Sequence, residues 1–370
     1  MKRFLRHLGQ ILPGVLAVGL AVFVLRSADL GRVLDLVASL GWRLPLLLLP
    51  NFAVTLIEGV AWWSSFALLG GRPRFASLVR VRLVVEATML ALPSGAVISE
   101  SLQPYLLKRR CGVAFEKAVV ASVGRKFFVV VSHALVLAAA TVLAWPLLDR
   151  ISRQTIGRAG LPWALLGVSA FMAATFGVGL AMSGRARIAQ RTRRALDRIG
   201  GRWLGPWLDR HTQRFQRADE HLVRFFEAER RALLAPLVLY SAGWMVRGLE
   251  TWLFLRLLGT EIPFLTAVVM EAAIIVVRSV AVPVPAGLGV QDVGYLLCFR
   301  ALGFADPVTL ATAFVLLKRG KDLFWILVGF TLLAVGERGR KEETVETRAT
   351  PAETAAGPTE PPPVSPLTRR

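Results

Sequence analysis

The chain has 370 residues, 54% of them hydrophobic, and a mean hydropathy of +0.54. Several apolar runs are longer than the core helix of a soluble domain requires, so the composition is that of a membrane protein. The formal net charge of +20 would suggest nucleic-acid binding in a soluble protein. Here the arginines lie between apolar runs rather than along one aromatic face, so we expect no nucleic-acid partner.

Taken in chain order, six stretches approach or exceed the ~20 apolar residues that cross a membrane. They lie at about residues 8–25, 44–69, 117–145, 161–182, 232–258 and 307–336. The first follows a basic start and no small-residue cleavage site comes before Arg26. We therefore predict a retained helix there rather than a signal peptide.

Two further stretches, 80–110 and 270–302, are apolar but interrupted by proline and glycine. Neither half of either stretch is long enough to cross comfortably, so each is predicted to be a re-entrant pair of half-helices. The expected fold class is an all-α polytopic membrane protein, an inverted repeat with two broken helix pairs and about six full transmembrane helices.

The two breaks carry the same residue types at one fixed offset. The first set is Pro93, Gly95, Glu100 and Lys126, and 192 positions later stand Pro285, Gly287, Asp292 and Lys318 (292 − 100 = 192, for example). Glu58 is matched by Glu250 at the same offset, and Gly289 is a further glycine in the second break. Lipid cannot hydrogen-bond the groups that charges and helix breakers expose, so they are rarely placed in a membrane by accident. The pattern indicates an internal duplication typical of a transporter core.

The basic residues fall on one predicted side of the membrane. If the re-entrant pairs do not cross, both termini, the stretch 70–80 and the loop 183–231 share that side. The positive-inside rule makes it the cytoplasmic side of the inner membrane. The repeats, about 44–145 and 232–336, are then inverted, an arrangement that places a substrate site at their interface.

Two segments differ in composition from the rest of the predicted transmembrane domain, 1–336. The loop 183–231 mixes arginine with leucine, tryptophan and phenylalanine, and we interpret it either as helices lying on anionic headgroups or as a solvated linker. Residues 337–370 are rich in Glu, Thr, Ala and Pro without apolar periodicity. They are predicted to form a disordered cytoplasmic tail.

Glu100 and Asp292 each lie five residues after a break glycine, near the start of a half-helix. As intramembrane acids they are candidates for contacting a lipid headgroup or a coupling proton, and the alternative is a cap paired with a cation. Lys126 and Lys318 are either their partners or phosphate contacts. Lys318 has a further candidate partner in Asp322, four residues on.

Other charges also fall inside apolar sequence. Glu58 and Glu250 are interpreted either as substrate contacts or as packing ion pairs, and Arg247 is three residues from Glu250 on one helix. Glu86 and Arg278 occupy equivalent positions with opposite charge (278 − 86 = 192). They either meet across the pseudo-twofold axis or have separate local partners.

Several motifs of soluble enzymes are absent from the sequence. There is no P-loop, no G-x-S-x-G elbow and no H-E-x-x-H pair, and the two cysteines and four histidines lack ligand spacing. We expect no P-loop nucleotide hydrolysis, no cofactor and no metal site. Trp62 and Trp63 are interpreted as packing or interfacial residues rather than as a headgroup platform.

The break sequences resemble a known family. LALPSGAVISESLQPYLLKRRCG with VVASVGRKFF, and PVPAGLGVQDVGYLLCFRALG, resemble the flippase-like family that includes the transmembrane region of lysylphosphatidylglycerol synthases, over about residues 10–336. The chain departs from the family at Ile98 and Ser99, where Gly-Gly is common, and at Asp292, where Glu is frequent. The resemblance implies lipid translocation by a stand-alone member without the aminoacyl-transferring domain.

The sequence therefore predicts a translocase for an amphiphilic lipid or lipid-linked headgroup, and not an enzyme. One alternative is an integral-membrane enzyme acting on a lipid or polyprenyl phosphate, with Glu100 or Asp292 as general base. The other is a non-catalytic partner of a lipid-modifying complex. The expected partners are membrane lipids, with anionic headgroups at the basic loop, and homo-oligomerisation is left open.

Overall fold

The computed structural model describes residues 29–92, 94–185, 212–226, 230–280 and 287–349. In these ranges the chain is all-α and contains no strand, as predicted for a polytopic helical membrane protein. The helices are α1 (Leu30–Ala38), α2 (Leu49–Ser65), α3 (Phe75–Ala91), α4 (Gly95–Cys111), α5 (Phe115–Leu143), α6 (Trp145–Ile156), α7 (Leu161–Arg185), α8 (Thr212–Phe226), α9 (Arg230–Leu257), α10 (Phe264–Val280), α11 (Val290–Ala301) and α12 (Pro307–Ala349).

Three of the described helical stretches are long and apolar enough to cross a membrane. They are Gly41–Leu69, which is α2 with a 3-10 turn at each end, Phe115–Leu143 and Arg231–Leu257. Each coincides with a predicted span. The predicted spans 161–182 and 307–336 are helical as α7 and α12, and the predicted span 8–25 lies outside the described residues.

Both predicted broken segments form pairs of helices that pack on each other. α3 and α4 have 17 residues each, about 25 Å at 1.5 Å per residue, which is shorter than the ~30 Å hydrocarbon core. α10 and α11 form the second pair, and α11 has only 12 residues. The break prolines, Pro93 and Pro285, lie outside the described residues.

The glycines of the breaks are required by the path of the backbone. Ser94, with a φ of 53°, turns the chain ahead of α4, and a side chain on Gly95 would fall on the carbonyl oxygen of Met89. In the second break Gly287 and Gly289 have φ values of 65° and 74°. Only glycine adopts this left-handed conformation without a steric penalty.

Helix α9 lies at the centre of the bundle. It packs against α2, α5 and α10, and its residues belong to all three apolar clusters of the described core. At the offset of 192 residues α9 corresponds to α2, so the two predicted copies meet along equivalent helices. The approach is close at Gly243, where a Cβ would lie 3.1 Å from Cγ of Glu58.

Helix α8, the described end of the basic loop, packs its apolar residues on the protein. Phe225 is fully buried, its ring lies 6.1 Å from that of Phe128, and it occupies the space where Gly124 has no side chain. Phe225 of α8 is therefore covered by α5. Residues 186–211 of the loop lie outside the described residues.

The last helix continues further than the sequence predicts. α12 ends at Ala349, so residues 337–349 are helical where disorder is expected. Their Glu, Lys, Arg and Ala content has a high helix propensity that outweighs the lack of an apolar face. Residues 350–370 lie outside the described residues.

Candidate functional site

Buried charges gather where both repeats contribute helices, around the central helix α9. The Glu58 cluster consists of Glu58, Arg82, Glu86, Arg125 and Arg247. The Glu250 cluster consists of Glu250, Glu271, Asp292, Lys318, Arg319, Lys321 and Asp322. Because hydrocarbon cannot solvate charges, intramembrane ionic groups face the bundle interior and pair with one another.

In the Glu58 cluster, one carboxylate is shared by two arginines. Arg82 on α3 lies with Nη1 2.8 Å from Oε2 of Glu58, and Nη2 of Arg247 on α9 donates to Oε1 at 2.9 Å. The side chains of Glu58 and Arg82 are only 7% and 3% exposed. Arg82 also approaches Glu86 on its own helix, at 3.9 Å.

Arg125 joins the same cluster from α5. Its Nη1 donates to Oε1 of Gln103, at 3.0 Å, and Gln103 is fully buried on α4, the half-helix that follows the first break. The guanidinium of Arg125 lies over the ring of Trp62 at 5.5 Å, and that of Arg247 lies over Trp244 at 5.4 Å. The Glu58 cluster thus draws charges from α2, α3, α5 and α9.

In the Glu250 cluster, one lysine is shared by two carboxylates. Nζ of Lys318 on α12 lies 3.3 Å from Oε1 of Glu250 and 2.9 Å from Oε2 of Glu271, and the Lys318 side chain is 7% exposed. Lys321 donates to Glu250 at 2.8 Å. Glu271 also accepts from the hydroxyls of Thr251, at 2.6 Å, and Tyr295, at 2.8 Å.

The two break acids are held differently. Asp292 is buried, accepts from Nη2 of Arg319 at 2.6 Å, and caps α11 by accepting the backbone N–H of Gly289 at 2.9 Å. Glu100 accepts from Lys126 at 2.9 Å, in a pair whose side chains are 36% and 49% exposed. The structure thus brings Glu100 to its predicted partner, whereas Asp292 pairs with the residue after Lys318.

Two pairs that the sequence allows within single helices are not among the ion pairs of the described residues. Arg247 binds Glu58 on α2 rather than Glu250, because the close approach at Gly243 brings Glu58 against α9. Lys318 faces Glu250 and Glu271 on other helices rather than Asp322. Asp322 lies instead beside Arg319 and Lys321, at 3.7 and 3.4 Å.

Two other interpretations from the sequence concern the tryptophans Trp62 and Trp63 and the charges Glu86 and Arg278. Trp62 is buried and donates to the carbonyl oxygen of Ala121 at 3.2 Å, while Trp63 donates to that of Pro73 at 2.9 Å. Both contacts confirm packing roles. The Arg278 side chain lies outside what the structure describes, so a pair between it and Glu86 across the axis stays a prediction.

Charge is balanced over the two clusters but not within each. Together they contain six acids and six bases. The Glu58 cluster has one more cation than anions, and the Glu250 cluster has one more anion than cations. Arg247 and Glu250, one turn apart on α9, connect them. Among the described residues no group of His, Cys, Asp and Glu is arranged to hold a metal ion.

Several members of the clusters were not predicted as site residues. Arg82 and Arg125 are the clearest cases, because Arg82 binds Glu58 on α2 and Arg125 binds Gln103 on α4. A signal was present in the sequence: Arg82 precedes Glu86 by four residues, the spacing of an ion pair on one helix face. Arg125 is next to Lys126, which the offset of 192 residues had already singled out, and lies on the same turn of α5.

The comparisons with known proteins agree with this architecture. The family model of the lysylphosphatidylglycerol synthase transmembrane region matches residues 10–329, which include both breaks and both charged clusters. No curated protein and no solved structure gives a significant match. On the match over most of its length, the chain belongs to the family of the lysylphosphatidylglycerol synthase transmembrane region, a membrane family with a lipid-related function.

Proposed function

We propose that the protein moves an amphiphilic lipid or lipid-linked headgroup across the cytoplasmic membrane, with both termini on the cytoplasmic side. The observation that carries the proposal is a charged network inside an apolar helical bundle, made of two clusters of ion pairs that adjoin at Arg247 and Glu250, one turn apart on α9. The network joins α2 and α3 of the first repeat to α9, α10 and α12 of the second. A protein that needed only an anchor in the membrane would gain nothing from so many buried charges.

The physical task of a translocase explains the charges. A lipid changes leaflet slowly because its polar headgroup must cross hydrocarbon, where a charged group costs on the order of 3 kcal/mol or more. Polar side chains at membrane depth lower that barrier while the acyl tails stay in the bilayer. Broken helices are tolerated at that depth where they line protein or a watery cavity.

Shared ion pairs suit a moving substrate. Glu58 serves two arginines and Lys318 serves two acids, so a headgroup that displaces one partner leaves the buried charge still paired. The free-energy cost of leaving a buried charge without an ion-pair partner is thereby avoided. The drive would come from the lipid gradient, a proton or the membrane potential, since the sequence has no P-loop.

The test is reconstitution of the purified full-length protein in liposomes that carry a fluorescent lipid in one leaflet only. We expect faster appearance of the lipid in the other leaflet than in protein-free liposomes. Conversion of the lipid to a new product would support an enzyme of lipid or polyprenyl phosphates instead. Neither movement nor product would support a non-catalytic partner of a lipid-modifying complex.

Substitutions at the break acids show whether transport uses the network. Asp292→Asn and Glu100→Gln keep the side-chain shape and remove the charge, so each is expected to slow lipid movement while the protein stays folded. The matched control is Asp149→Asn on α6, where the acid pairs locally with Arg153 at 2.9 Å. Normal transport by either break variant would make that acid a structural cap only.

A further inference from the structure

Helix α1 lies at the end of the bundle where α9 ends and α12 begins. Arg32 of α1 approaches Asp306, the residue before α12, at 3.8 Å. These two side chains line a cavity together with Thr260, which follows α9. On the side facing the protein, Val33 is buried in the apolar cluster that α9 and α12 form. α1 is therefore held at the level of the helix ends rather than along the length of a span.

The chain that follows α1 is long enough to cross the membrane without it. Gly41–Leu69 has 29 residues, about 43 Å at 1.5 Å per residue, which exceeds the ~30 Å hydrocarbon core. A turn at residues 39–40 and the left-handed Gly41, with a φ of 45°, end α1 before this stretch begins. α1 thus lies beside the start of a span and is not part of it.

One face of α1 is apolar and is covered by no described residue. Leu30 and Leu34, one helical turn apart, are 52% and 61% exposed. The polar residues Arg32 and Asp35 lie on a different face, where they line the cavity. With Val33 on the buried face, α1 has a protein-facing side, a polar side and an exposed apolar side. A helix that lies in a membrane surface has this combination, because its apolar side contacts acyl chains while its polar side meets headgroups and water.

Tryptophans mark this end of the bundle as the boundary between membrane and water. Trp42 and Trp163 lie at the beginnings of the Gly41–Leu69 stretch and of α7, and both are largely exposed. Trp145 follows α5 and contacts Trp163 edge to face at 5.0 Å. The guanidinium of Arg43 lies over Trp42 at 5.9 Å. Tryptophan is enriched at headgroup depth, and the predicted topology places all three on one side of the membrane.

We infer that α1 lies in the headgroup region of the leaflet where the Gly41–Leu69 span begins, with Leu30 and Leu34 directed toward the acyl chains. In the proposed topology this is the extracytoplasmic leaflet. The partner of the exposed face is the lipid surface, because Trp42, which directly follows α1, sets its depth. The inference goes beyond lipid translocation, since it holds equally for a translocase, an enzyme or a non-catalytic partner.

Spin labelling of the full-length protein in liposomes tests this position. Cys111 and Cys298 are replaced by alanine, and a nitroxide is attached to one cysteine at a time in the variants Leu34→Cys, Asp35→Cys and Leu323→Cys. Oxygen concentrates in hydrocarbon and an uncharged nickel chelate concentrates in water, so the ratio of their collision rates with the nitroxide measures its depth. Leu323 is the reference for the hydrocarbon core, because it is 58% exposed in the middle of the predicted span 307–336.

The neighbouring positions on α1 are matched controls for each other. Leu34 and Asp35 are both exposed, but they lie on the apolar and the polar side of the helix. We expect the ratio of oxygen to nickel collisions to be lowest at position 35, higher at position 34 and highest at position 323. Leu30→Cys is expected to reproduce the result at position 34, and it replaces that variant if Leu34→Cys does not fold.

Three results would overturn the inference. Equal ratios at positions 34 and 35 would place both sides of α1 in water. A ratio at position 34 as high as that at position 323 would place α1 inside the hydrocarbon core. Shielding of position 34 from both oxygen and nickel would show that a second copy or another segment of the chain covers the leucines. Each result leaves the liposome assay of lipid movement free to support or reject the translocase.

Discussion

Buried charges in this protein are shared rather than paired one to one. Lys318 serves Glu250 and Glu271, and Glu58 serves Arg82 and Arg247. Removing a shared residue takes an ion-pair partner from two groups at once, whereas removing one member of a simple pair takes a partner from only one. A substitution at the centre of a cluster is therefore expected to lower the free energy of unfolding more than a substitution at its edge.

The duplicated lysines provide a direct measurement of this difference. Lys318→Met is expected to lower the free energy of unfolding by about 3 to 5 kcal/mol, the usual cost of breaking a buried pair. Lys126→Met, the equivalent position, breaks a half-exposed pair with Glu100 and is expected to cost about 0.2 to 1 kcal/mol. Thermal unfolding in one detergent compares the two variants. Equal losses would show that burial does not decide the stability contribution of these lysines.

The offset of 192 residues identifies only those charges that both copies contain. It singles out Glu58, Glu250, Lys126 and Lys318, all of which lie in ion pairs in the structure. It cannot identify charges present in one copy. Arg82, Arg125 and Glu271 are of this kind, since their equivalent positions carry Ile274, Leu317 and Val79.

At the scale of the helix, the chain turns at the two breaks through different backbone conformations. The first uses a left-handed serine followed by a glycine pressed against the preceding helix, and the second uses two left-handed glycines. Both were predictable as breaks because proline and glycine occur close together there. A single proline does not suffice, since Pro104 and Pro236 lie inside α4 and α9. The tertiary contact at Gly95 was not predictable, since it depends on how closely α4 returns along α3.

That contact makes Gly95→Ala a test of the first break. The new Cβ would overlap the carbonyl oxygen of Met89, and backbone cannot move aside as a side-chain end does. We expect a loss of about 1 to 3 kcal/mol in unfolding free energy, the typical cost of overpacking. Gly167→Ala on α7 is the matched control, because a Cβ added at Gly167 would meet nothing within 4 Å and alanine favours helix. A Gly95 variant as stable as this control would contradict the tight hairpin.

At the scale of the whole molecule, the predicted duplication accounts for the position of the charged network. Equivalent helices α2 and α9 pack against each other, so Glu58 and Glu250, equivalent residues on them, both come to the interface of the repeats. The helical class, both breaks and three of the spans followed from apolar length and helix-breaking residues. Which charged residues pair with each other did not follow from the sequence. The pairing depends on how each helix is rotated against neighbouring helices that are distant in sequence.

The arrangement of the helices also determines which loops share a side of the membrane. One long helix, α7, separates residue 153 from residue 194, and its 25 residues extend about 37 Å at 1.5 Å per residue. That length exceeds the ~30 Å hydrocarbon core, so the two positions are expected on opposite sides. Arg194 lies in the strongly basic loop, which the positive-inside rule assigns to the cytoplasm.

Cysteine labelling in intact cells tests this topology. In a chain whose Cys111 and Cys298 are replaced by alanine, single cysteines are introduced at Arg153, Arg194 and Glu261. An impermeant maleimide is expected to label the first and third from outside, and the second only after the cells are permeabilised, because α7 and α9 each cross once. Cys111 and Cys298 are free and partly buried thiols, so their removal is expected to leave the fold intact, which unchanged detergent-stable expression would verify. Labelling of positions 153 and 194 from the same side would mean that α7 does not span the membrane, and the inverted arrangement of the two repeats would then fail with it.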